Sequence, residues 1–327
     1  MALLRINACG DRPRPHHGTE PLADTLAAVL TRPGPVIVML HGFRYGPGKA
    51  GHCPHDGLFA TGPALTGRQV VSWPQRLGLD ADADPDSGID LGPNLEPAPD
   101  GTAPGIGVAF GWDGRGTIRG AYRRAAQAGQ ALARLVRAIR RIDPTREVHV
   151  LAHSMGARVA LQALAALSPG DMSRLILMAA AEYRTVAAAA LATPAGRSAQ
   201  VVHVTSREND LYDWLLEWLV PGTERGDRAL GPHAAGPNMR SLLIDDPATL
   251  SALGELGFDI APAARRICHW SPYLRSGVFA LYRALLTGAV SPQDLDRVLP
   301  SPEDGRWRRL WPNLALPGLS FAAKAPS

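Results

Sequence analysis

The chain has 327 residues, enough to bury a sizeable core as one large domain. Its formal net charge of +4 is small for that length and argues against a polyanion binder, and no apolar run approaches the roughly 20 residues that cross a bilayer. The opening MALLRINACGDRPRP lacks a basic start followed by a long apolar stretch, and Cys9, Cys53 and Cys268 are isolated, so a reducing cytoplasm is the expected location.

In chain order, short β-rich runs are expected at 3–6, 36–40, 70–73, 106–110, 148–151, 175–178, 201–204 and 241–244. Helical patterns fall between them at 22–30, 117–141, 155–167, 185–192 and 211–219, and PYLRSGVFALYRALL and SPQDLDRVL read as terminal helices. Strands that are almost wholly apolar and alternate with helices predict an α/β fold. Its sheet is mainly parallel and doubly wound, with helices on both faces. Two Pro- and Gly-rich stretches interrupt this rhythm, so the expectation is a single domain over 1–327 with lid or loop insertions around 80–105 and 221–237. Arginines crowd the region from Arg115 to Arg141, but Ile118, Tyr122, Ala125, Leu132, Val136 and Ile139 recur there at helical spacing. The arginines therefore fall on a solvated helix face, and no nucleic-acid partner is expected.

The stretch EVHVLAHSMGA, 147–157, ends a β-forming run on Ser154 and turns at once into the helical pattern GARVALQALAAL. A serine hydroxyl is a poor nucleophile until a base takes its proton. A sharp strand-to-helix turn lifts it clear of the backbone, and the helix behind it offers free N–H groups to developing negative charge. Such a turn needs small residues two positions either side, and Ala152 and Gly156 supply them.

With AHSMG in that setting, the chain resembles the alpha/beta-hydrolase superfamily over roughly 36–286. The HGFRYG, GWDGRGT and AHSMGAR stretches look most like a poorly characterised bacterial branch of it. The resemblance implies an oxyanion hole behind the His41-Gly42 pair of VIVMLHGFRYGPG, formed by the N–H groups of Phe43 and Met155. It also implies a triad in the order serine, acid, histidine. The acid is expected after the second strand beyond the serine, in REND, which makes it Asp210, with Glu208 and Asp213 as rivals in the same loop. The base is expected just before the terminal helix, in RRICHWSPYLRSG, which makes it His269, with His233 as the other histidine beyond the acid.

Other signals are weaker. GVAFGWDGRGTIRG follows a strand and opens a helix, but Arg119 stands where a dinucleotide-binding turn needs its third glycine, so no cofactor is expected. GHCPHDG gathers His52, Cys53, His55 and Asp56 without a second cluster, and reads as a structural loop rather than a metal site. His41, Trp73, His153 and Trp214 are candidates to line the substrate site, with Trp214, Leu215 and Trp218 as an apolar wall. The expected function is a serine hydrolase cleaving small carboxylic esters through an acyl-enzyme. Acyl transfer, and amide, thioester or lactone cleavage, would use the same residues, and a non-catalytic binding module is the alternative from another class. Oligomeric state and chain-length preference are not written in these motifs.

Overall fold

The computed structural model of the chain describes residues 3–61, 71–79 and 105–299. Among them, eight strands form one sheet: β1 (Leu3–Cys9), β2 (Arg12–Pro15), β3 (Val36–Leu40), β4 (Ile106–Gly111), β5 (Val148–His153), β6 (Arg174–Met178), β7 (Gln200–Thr205) and β8 (Met239–Leu243). Their order is β2-β1-β4-β3-β5-β6-β7-β8, and every neighbouring pair is parallel except β1 with β2.

Along β3 the side chains alternate between two cores. Val36, Val38 and Leu40 enter one, and Ile37 and Met39 enter the other. A strand buried on both faces carries no polar alternation, which is why VIVML is continuous in sequence. The first core is closed by α1 (Leu22–Val29), α3 (Ile118–Ile142), α4 (Met155–Ala165), α5 (Arg184–Leu191) and α6 (Pro194–Ser198); α2 (Trp73–Arg76) belongs to the second. That second core is completed by α8 (Pro247–Glu255), α9 (Ser271–Leu274), α10 (Val278–Thr287) and α11 (Pro292–Val298), while α7 (Asp210–Leu219) follows β7. The Thr117 side chain caps α3 by accepting from the Gly120 N–H, and the helix buries Ala125, Leu132, Val136 and Ile139 as their spacing requires.

Two expectations change. The strand at 70–73 is not formed over its described residues. Ser72 instead accepts from the Gln75 N–H, and Trp73 with Pro74 opens α2. The single terminal helix is two, because Gly277 adopts φ 85° between α9 and α10. The short β2 lies at the sheet edge, where Pro13 and Pro15 leave no central ladder bond unmade. Of the insertions, 80–104 lies outside the described residues. The 221–237 stretch is tied down, with Leu230 N–H donating to the Glu182 carbonyl (2.9 Å) and Arg184 N–H to that of Arg228 (2.9 Å).

Candidate active site at the end of strand β5

β5 ends at His153, and Ser154 follows with φ 56° and ψ −124° before α4 begins at Met155. A positive φ is uncommon for a residue with a side chain, and here it turns the chain from strand to helix within one residue. The turn is closed from the β3 side. A Cβ on Gly156 would lie 2.7 Å from both the Leu40 and His41 carbonyl oxygens, and one on Gly42 would lie 2.7 Å from Ser154 Cβ. Two glycines thus let the loop after β3 and the elbow after β5 press together. Met155, as the first helical residue, has an N–H with no acceptor within α4.

His269 approaches from the segment that precedes α9. Its Nε2 accepts from the Ser154 hydroxyl at 2.8 Å, and its Nδ1–H donates to Asn209 Oδ1 at 2.6 Å. The Asn209 amide is oriented by its other end, since Nδ2 donates to Asp213 Oδ1 at 3.0 Å. Nδ2 can only donate, so the carboxylate of Asp213 turns Oδ1 toward the imidazole. That arrangement fixes the His269 proton on Nδ1 and leaves Nε2 basic.

The expected acid, Asp210, does not hold the position facing Nδ1; the residue before it does. Asn209 closes the single 3₁₀ turn Arg207–Asn209 after β7, and Asp210 starts α7 with its side chain buried. Asp213 lies one helical turn after Asn209, the i, i+4 spacing at which an amide and a carboxylate meet. Glu208, the other rival, has a different role. Its carboxylate pairs with Arg275 (2.5 Å) and accepts from the Arg265 N–H (3.2 Å), while its carbonyl accepts from the Cys268 N–H (2.9 Å). Glu208 therefore fastens the segment carrying His269 to the one carrying Asn209. Histidine 233 lies in the 221–237 stretch, and it is the ring of His269 that meets Ser154.

In the loop after β3, Trp112 N–H donates to His41 Nε2 (3.0 Å), so His41 carries its proton on Nδ1 and donates to the Gly42 carbonyl (2.8 Å). The Gly42 carbonyl and the Phe43 N–H belong to one planar peptide, so this bond sets the direction of that N–H. The Trp112 indole stacks on His41 with its ring 5.4 Å away and donates to the His41 carbonyl (2.9 Å). GWDGRGT, the glycine-rich stretch, braces the same loop: Gly114 receives the Arg44 N–H (2.8 Å) and donates to the Tyr45 carbonyl (2.9 Å).

The remaining candidates divide. His153 Nε2–H donates to the His269 carbonyl (3.0 Å), holding the backbone of that residue. Trp73 is fully buried and stands behind the site, its ring 5.4 Å from Tyr273, which in turn packs edge-on to His153 at 4.9 Å. Trp214 faces outward and stacks on Trp218. GHCPHDG is structural: His55 bonds Asn7 Oδ1 (2.8 Å), and Cys53 Sγ accepts from the Gly48 N–H. Among the described residues no group of three or more His, Cys, Asp or Glu is placed to hold a metal ion. Tyr212, not singled out from the sequence, stacks on His269 with centroids 4.6 Å apart.

Burial disfavours the charged imidazole throughout. It lowers His269 well below the ordinary histidine value, with His153 adding to the effect, and lowers His41 and His153 to about 4. All three rings are neutral at neutral pH, as a hydrogen-bond acceptor toward serine and two fixed donors require.

Residues 96–204, about a third of the chain, match the model of a family described as alpha/beta hydrolase of unknown function (DUF900). The matched stretch contains β4, β5 and β6, and with them Ser154. No curated protein matches the chain, and no solved structure matches it. No helix among the described residues is long and apolar enough to cross a membrane.

Proposed function

We infer that this chain, an alpha/beta-hydrolase superfamily member by its fold and its matched segment, is a serine hydrolase that cleaves small carboxylic esters through an acyl-enzyme. The observation that carries the reading is the 2.8 Å contact between His269 Nε2 and a Ser154 hydroxyl raised on a positive-φ elbow. Serine and base must stand in hydrogen-bond reach, with a third group orienting the base, and Asn209 is that group.

In this mechanism His269 takes the Ser154 proton as Oγ attacks the ester carbonyl. The carbonyl oxygen becomes an oxyanion, received by the N–H groups of Phe43 and Met155, the first of them aimed by the His41 bond to Gly42. Each such donor contributes about 3–4 kcal/mol to the transition state. His269 then gives its proton to the leaving alkoxide. A water deprotonated by the same nitrogen attacks the acyl-enzyme, the bond from the acyl carbon to Oγ breaks, His269 returns the proton to Ser154 Oγ, and the carboxylic acid departs. Asn209 Oδ1 receives the Nδ1–H throughout and holds the ring in the working tautomer. No step calls on a cofactor.

A fluorophosphonate probe tests this directly, with p-nitrophenyl esters from acetate to decanoate read alongside. Wild-type protein labels and turns over esters, while Ser154→Ala and His269→Ala lose both. Folded wild-type protein that neither labels nor hydrolyses any ester of the series overturns the reading and favours a binding module.

A further inference from the structure

Helix α7 is built the wrong way round for a surface helix. Its buried positions hold Asp210, Asp213 and Leu216, while Trp214 and Trp218 stand outward with Leu211, Leu215 and Leu219 half-buried beside them. Trp218 is 69% exposed and Trp214 42%, and the two indoles lie parallel with centroids 6.0 Å apart. The exposed large apolar side chains among the described residues are six, and five of them, Trp214, Trp218, Ile267, Trp270 and Leu274, flank Asn209 and His269. Only Ile142 lies on neither α7 nor the 267–274 segment. Tyr212, on another side of α7 from the tryptophan pair, touches both His269 and Trp270 and so ties the helix to the 267–274 segment.

The exposed charge on the segments next to this face is mostly cationic, with Arg225, Arg228, Arg265 and Arg266 against Glu224 and Asp259. The acids of α7 are buried, in Asp210 and Asp213, or paired, in Glu217 with Arg228 at 3.0 Å. The cations lie outward: Arg119 donates to the Leu219 carbonyl at the end of α7 (2.6 Å), Arg266 is exposed beside Ile267, and exposed Arg44 lies against Phe43. Tryptophans ringed by arginine are the residue types that settle at a lipid–water boundary, where the indole sits at headgroup depth and the guanidinium meets anionic headgroups.

We propose that the outward face of α7, with the rim at 267–274, seats this protein on an anionic lipid surface. The tryptophans insert at the headgroup level and the arginines engage the headgroups, while Tyr212 of the same helix meets His269. The chain is thereby a peripheral, reversible membrane binder, and attachment does not depend on its being a hydrolase.

Vesicle flotation of the full-length wild-type protein tests this without any turnover, so its failure is separate from failure of the esterase reading. Phosphatidylcholine vesicles carrying roughly 30% phosphatidylglycerol are compared with phosphatidylcholine alone, since binding scales with anionic lipid. The expected result is flotation with the anionic vesicles only, reduced by added salt, with a blue shift of tryptophan fluorescence. Trp218→Ser, whose fold is checked by circular dichroism, weakens binding by about tenfold, the loss of one inserted indole. Wild-type protein that stays unbound to anionic vesicles at low salt overturns the proposal. So does binding that Trp218→Ser leaves unchanged. A dimer in sedimentation velocity that Trp218→Ser dissociates, without vesicle binding, assigns the face to a second copy instead.

Discussion

Asn209 Oδ1 lies 2.6 Å from His269 Nδ1, and Asn209 Nδ2 lies 3.0 Å from Asp213 Oδ1. The negative charge that balances an imidazolium is therefore held one residue away from the ring, behind a neutral amide. The amide fixes the tautomer, and the carboxylate fixes the amide.

Asn209→Ala removes the acceptor for Nδ1–H and frees the ring to take the wrong tautomer. The expected loss in kcat is roughly 10²–10⁴-fold, whereas Asp210→Asn costs less than about tenfold. Steady-state kinetics on one ester separates the two; a larger loss in the Asp210 variant restores that residue as the orienting acid.

Asn209→Asp places a carboxylate directly on Nδ1 and favours the charged ring. The base works only when neutral, so raising its pKa moves the acid limb of kcat/KM to higher pH, by roughly 1–3 units. A pH–rate profile with no upward movement of that limb contradicts the arrangement.

Removing one partner of the Glu208–Arg275 pair strands a charge, because the two side chains are only 2% and 6% exposed. Glu208→Gln should cost about 3–5 kcal/mol of unfolding free energy in urea. The backbone bond from Cys268 N–H to the Glu208 carbonyl survives that substitution, so labelling of Ser154 should fall only as the protein unfolds.

Acid sensitivity follows from the buried histidines. Burial lowers His41, His149 and His153 to about 4, His203 to about 3 and His55 to about 2, and lowers His269 as well. Each folded pKa lies below its unfolded value, so the unfolded chain binds more protons as pH falls. The stabilisation is complete above about pH 6.5 and declines below it, each group adding up to about 1.4 kcal/mol per pH unit. Urea midpoints should drop steeply between about pH 6.5 and pH 5, and a flat profile there contradicts the assignment of neutral rings.

Much of this was legible because the relevant signals are local. β3 runs Val36–Leu40 as its apolar pattern requires, and the small residues around Ser154 announce the elbow before any contact is known. Val71 and Trp73 read as strand, but Ser72 and Pro74 form a helix start, and the cap outweighs the β-formers. Asn209 was passed over for a different reason. REND offers adjacent amide and acid, and which of them faces His269 depends on the register of one 3₁₀ turn, set only when β7, α7 and the 265–268 segment are packed together. The break at Gly277 is likewise non-local: a Cβ there would lie 2.0 Å from the Asp259 carbonyl oxygen. The close approach of the Asp259 backbone decides it, and nothing within the helix pattern reports that.

Ser154 is held at φ 56°, a conformation that glycine takes freely and a residue with a Cβ takes only under strain. Glycine in its place would remove about 1 kcal/mol or more of backbone strain. The folded protein carries that deficit permanently, at one position, in every molecule. Replacing Ser154 with glycine should yield a hardier protein with no nucleophile, which makes the melting temperature of an inactive variant a measure of what the chemistry has cost the fold.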